Sequence, residues 1–75
     1  MLKVNLSTIS AVKNFTHIAA QTTAAITLKS DKYVVDGKSI MGIFSLDLSK
    51  PITVEIEPVS MEDEFKELAK EFLVD

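Results

Sequence analysis

The chain has 75 residues, of which 47% are hydrophobic and 25% charged, and its net charge is −3. A chain of this length builds one small core, so residues 1–75 read as a single domain. It has no cysteine, which excludes a disulfide framework or thiolate metal site. Its 8 cations are all lysine and lie scattered, an arrangement that argues against nucleic acid as a partner and removes the planar fork that clamps phosphate.

The opening residues lack a cationic stretch followed by a long apolar run, and no apolar run is long enough for a membrane span. A cytoplasmic protein is expected, with no membrane insertion. In chain order, Leu2, Val4 and Leu6 alternate with Lys3 and Asn5 as in a half-buried strand. From residue 7 the spacing turns helical. Ile9, Val12, Phe15 and Ala19 line one face with Ile18 at its edge, and Ser7, Thr8 and Ser10 are candidate N-caps. This helix is expected to end near Thr22.

Residues 26–30 and 32–36 carry strand composition and are expected to join at Ser30 and Asp31. Asp36-Gly37 is a turn signal, and residues 39–46 form a short second helix. Pro51 suits a strand entrance, and Ile52, Val54 and Ile56 alternate with Thr53, Glu55 and Glu57 in the clearest strand of the chain. Ser60 to Asp63 resembles a capping box, ahead of a stripe of Phe65, Leu68, Ala69 and Phe72. Glu62 and Lys66 have the spacing of an i,i+4 ion pair. The order β-α-β-β-α-β-α implies an α+β fold, an antiparallel sheet with helices on one face.

The second helix is too apolar to be hidden on all sides. At about 100° per residue, Ile43 and Leu46 point one way while Ile40, Met41 and Phe44 cluster on another arc. Periodicity leaves open which arc faces inward. Either both are core, or one is an exposed docking patch. Ser39 opens that helix, either as a plain N-cap or as a phosphorylation site beside the patch. His17, the single histidine, lies off the apolar stripe and reads as a solvated residue, with phosphoryl acceptance as the alternative. The acidic residues 62–64, 67 and 71 read as the solvated face of the last helix. No Gly-rich phosphate loop or catalytic Ser-His-Asp context is present. No catalytic residue, metal or cofactor is expected, and the chain does not read as an enzyme.

The run DGKSIMGIFSLDL followed by PITVEIE resembles HPr, the histidine-containing phosphocarrier family of the bacterial sugar phosphotransferase system. The likeness is dense from about residue 26 to residue 56. It implies an open-faced β-sandwich, a four-stranded antiparallel sheet covered on one face by three helices. It implies that Ser39 holds the place of the family's regulatory serine, that Ile40, Met41 and Phe44 form its exposed docking patch, and that Ile43 is core. It further implies protein partners, namely a serine kinase or a transcriptional regulator.

The family carries its phosphoryl group on a histidine in a Gly-Leu-His-Ala-Arg-Pro-Ala loop. Here the corresponding stretch is LSTISAVKNF, with no histidine, arginine, proline or glycine. His17 does not fall on the motif position. The expectation is therefore an HPr-like binding and regulatory module that does not receive phosphate from enzyme I. The alternatives are a carrier using His17 or a hydroxyl such as that of Thr8, and a small binding or structural domain without a phosphotransfer role.

Overall fold

The first strand is short, and the chain leaves it for a helix after only a few residues. In the computed structural model, which describes residues 1–74, the elements are β1 (Leu2–Val4), α1 (Ile9–Ala20), β2 (Ala25–Ser30), β3 (Tyr33–Asp36), α2 (Ile40–Phe44), β4 (Ile52–Glu57) and α3 (Glu62–Leu68). Single 3₁₀ turns at Val59–Met61 and Lys70–Phe72 flank α3. The strands form one sheet in the order β1-β4-β2-β3, antiparallel at every pairing. This is the α+β open-faced sandwich that the element order implies.

Strand alternation decides which face is covered. Leu2, Val4, Ile26, Leu28, Ile52, Val54 and Ile56 are buried, and they lie on the helix side of the sheet. The opposite face is polar and carries a Lys29–Glu55 ion pair at 2.7 Å. Such an exposed pair adds little stability, but it keeps the open face wet. On the covered side, α1 starts where the Thr8 hydroxyl accepts the Ala11 N–H at 3.0 Å, satisfying one orphan donor of the first turn. Val12, Phe15 and Ala19 of α1 are buried. The Phe15 ring meets Phe65 and Phe72 edge to face, with centroids at 5.7 and 6.0 Å, the arrangement favoured by aromatic quadrupoles.

Several expectations need correction. Ile9 is 64% exposed. It lies nearly a quarter turn from the Val12, Phe15 and Ala19 stripe and occupies the first turn, which has no later turn of core beneath it. Leu68 is 42% exposed because the chain tightens into a 3₁₀ turn just beyond it, turning Ala69 and Phe72 inward in its place. Ser60 caps no helix: the 3₁₀ turn already contains it, and Met61 occupies the α3 cap position without a side-chain hydrogen bond. Glu62 pairs with the Met1 amine at 3.4 Å rather than with Lys66, since the fold brings the N-terminus beside the start of α3. The hairpin turns on Asp31 and Lys32, with Ser30 opposite Tyr33, and Asp31 takes the left-handed φ of 52° that aspartate tolerates better than most residues.

The two edges of the sheet differ. At β1 the C-terminal segment folds back: Asn5 N–H donates to Phe72 O at 2.8 Å, Val74 N–H to Lys3 O at 2.9 Å, and Leu73 bridges Val4. At the other edge, among the described residues, β3 pairs with β2 alone.

Phe15→Ala is expected to remove about 3–5 kcal/mol, much of the stability that a domain of this size commands. Leu68→Ala at the half-exposed position should cost under about 1 kcal/mol. Urea unfolding followed by circular dichroism distinguishes the two; equal costs would mean that the aromatic cluster is not the centre of the core.

Candidate functional site

The site is built on the turn that links β3 to α2. Asp36 organises it twice. Its carboxylate accepts Lys38 N–H at 2.9 Å and its carbonyl accepts Ser39 N–H at 3.0 Å. Between them Gly37 N–H donates to Ile26 O at 2.7 Å, holding the turn hard against β2. A Cβ at residue 37 would come within 2.5 Å of Ile26 Cγ2, so this close approach demands glycine. The ammonium of Lys38 reaches across to the Thr22 carbonyl at 2.9 Å, tying the turn to the end of α1. Nothing in the spacing of the sequence signals that tie.

Ser39 leaves this turn in an extended conformation and caps α2. Its hydroxyl accepts Gly42 N–H at 3.2 Å, and Ile43 N–H donates to Ser39 O at 3.1 Å. Gly42 lets the helix sit close to the sheet, for a Cβ there would lie 3.3 Å from both Ser39 Oγ and Val35 Cβ.

The phase of α2 is set by Ile43 and Leu46, both buried. The opposite arc faces outward. Met41 is 77% exposed and Phe44 40% exposed, while Ile40 is half-buried against the core. The helix thus presents a small apolar patch one turn from the Ser39 hydroxyl, narrower than a patch with Ile40 fully exposed would be. After the helix, the hydroxyl of Ser49 first, and then its amide and the charge of Lys50, hold the Asp47 carboxyl below the usual range.

His17 sits in the last turn of α1 and is exposed. It lies about nine residues, or roughly 13 Å, along the helix from Thr8. The head of α1 contains an open depression of about 450 Å³ whose lining includes Asn5, Ser7, Thr8, Ser10, Asn14 and Glu71. Its polar groups are amides and hydroxyls, the Thr8 oxygen is engaged as a cap, and the Glu71 carboxylate disfavours an anion there. Among the described residues no group of three metal-ligating side chains comes together, and no helix is long and apolar enough to cross a membrane.

The family model described as the PTS HPr component phosphorylation site matches residues 9–72. Among solved structures, the phosphocarrier protein HPr from Bacillus anthracis str. Ames is 28% identical, with a TM-score of 0.67 over 93% of this chain and 92% of that one. Crh from Bacillus subtilis, described as a catabolite repression protein forming a swapped dimer, is 26% identical, with a TM-score of 0.68 over 99% of this chain and 90% of its own. HPr-C-His from Thermoanaerobacter tengcongensis shares the fold, with a TM-score of 0.77 at 22% identity over 93% of this chain and 85% of that one. No curated protein matches the chain.

Two measurements check the site. Ser39→Ala should lower stability by about 1 kcal/mol through loss of the cap, whereas Ser39→Asp retains a capping oxygen and should be nearly neutral; thermal unfolding reads both, and an equal loss for the two would mean that the hydroxyl is not acting as a cap. The Asp47 carboxyl should titrate below a free aspartate by NMR, and Ser49→Ala should return it toward the ordinary value. Because its folded-state pKa is depressed, its contribution to stability is present above the unfolded carboxylate pKa and is lost as pH falls through the lowered value.

Proposed function

The chain belongs to the HPr family, and from that premise we propose that it is a cytoplasmic protein-binding and regulatory module, not an enzyme and not a carrier of phosphate on histidine. The observation that carries this reading is the arrangement on α2. Met41 and Phe44 are exposed beside the capping hydroxyl of Ser39, while Ile43 on the same helix is locked in the core. A rigid apolar patch next to a modifiable hydroxyl is suited to conditional docking.

In this reading a serine kinase moves the γ-phosphoryl group of ATP onto Ser39 Oγ, releasing ADP and the hydroxyl proton. The product carries up to about two negative charges within one helical turn of Met41. A partner that buries the patch against acidic groups is then repelled, and one that offers cations beside it is favoured. A transcriptional regulator fits the second description. Ile40 adds area at the inner margin of the patch.

Support for the loss of histidine chemistry comes from the head of α1. The stretch that corresponds to the family's phosphohistidine loop supplies amides and hydroxyls to its depression, and Glu71 from the C-terminal segment adds a carboxylate. A carrier role through His17 has little support from its position far along the helix. A role through Thr8 has little support because Glu71 brings a carboxylate to the same depression, which disfavours an added anion.

Incubation with an HPr-type serine kinase and ATP should add one phosphate by intact mass to the wild type and none to Ser39→Ala. With enzyme I and phosphoenolpyruvate no acid-labile adduct should form. No gain with the kinase counts against the regulatory reading, and an acid-labile adduct lost in His17→Ala would restore the carrier.

A further inference from the structure

The geometry points to a second copy of this chain as the occupant of the free β3 edge, joined by antiparallel pairing of β3 with its counterpart across a two-fold axis. The β1 edge is closed by Leu73 and Val74, whereas among the described residues β3 pairs only with β2. An unpaired strand edge is a template for another strand.

Main-chain direction fixes which groups are offered. Gly37 N–H donates to Ile26 O, so by alternation Tyr33 and Val35 also direct their main-chain groups toward β2. Val34 N–H and C=O and Asp36 N–H therefore point outward. The Asp36 carbonyl is already taken by Ser39 N–H. A two-fold axis through Val34 lets the two Val34 residues exchange both bonds. It also aims each Asp36 N–H at the Lys32 carbonyl of the second copy.

The side chains complement one another in that same register. The sequence Lys32-Tyr33-Val34-Val35-Asp36 is self-complementary when run antiparallel about Val34. Lys32 faces Asp36 of the second copy, Tyr33 faces Val35, and Val34 faces itself. Val34 is 61% exposed and lies on the open face with Lys29 and Thr27, as the β2–β3 register shows. Both Lys32–Asp36 pairs then fall on that face, one on each side of the valine pair. Opposite-charge and apolar cross-strand pairs are the ones that stabilise a ladder. An axis perpendicular to the sheet would place both helix layers, and so both α2 patches, on one side of an eight-stranded sheet.

A strand of 4 residues buries little area, so the association should be weak and appear at roughly 0.1–1 mM. Sedimentation velocity over a concentration series should show a monomer–dimer equilibrium. Val34→Lys places like charges opposite each other and should weaken it about tenfold or more, with an unchanged circular dichroism spectrum. Because the chain has no cysteine, Val34→Cys gives an unambiguous contact report: a bismaleimide of short span should trap a dimer, and a Lys3→Cys control on β1 should not. A monomer throughout the series overturns the proposal. So does a dimer that survives Val34→Lys, which would place the contact on the α2 patch or in an exchange of β1.

Discussion

The fold rests on how a chain of this size closes one core from elements that are each too short to hold themselves. Phe15 is where that closure happens. Its ring stands edge-on to Phe65 and Phe72, so the middle of α1 and the last two turns of the chain meet over the sheet at a single fully buried side chain. The contact links residues about fifty positions apart. It also holds the C-terminal segment where its backbone can bond to β1. The closed β1 edge is a consequence of where Phe72 is fixed.

The α2 site depends on the same core by a different route. Ile43 within the helix and Leu46 just beyond it occupy inward positions, and with an anchor at each place the rotation of so short a helix is settled. Gly37 and Gly42 let backbone approach β2 and β3 more closely than a Cβ would permit. The turn is thereby pinned at Ile26, at Thr22 through Lys38, and at Asp36 on itself. Ser39 is held at a defined place by the backbone around it, and its hydroxyl is occupied by a single weak acceptor role that a larger group can also fill.

Much of this was legible in the sequence because local chemistry agrees with tertiary packing along the middle of the chain. Asp36-Gly37, the Ser39 cap and the alternation of β4 each state their own structure. The period of α2 separates its two arcs, but only packing shows that Ile43 is the inner one. The misreadings lie where tertiary context overrides a local pattern. Ile9 fits a helical stripe, but its turn projects past the core. Ser60 fits a capping box that a 3₁₀ turn pre-empts, and Glu62 has a suitable lysine one turn on but finds the N-terminal amine closer. The difference between the two sheet edges could not be read at all, since it arises from contacts between the two ends of the chain.

On α2 the side chains that hold the fold and those left on the surface are different residues interleaved along the same short helix. Replacing Met41 changes what the surface offers to another molecule without opening a cavity, whereas Ile43 has no such freedom. Preference for one partner over another can therefore drift by single substitutions at constant stability. A lineage built on this scaffold can acquire a different binding habit without first passing through a poorly folded intermediate.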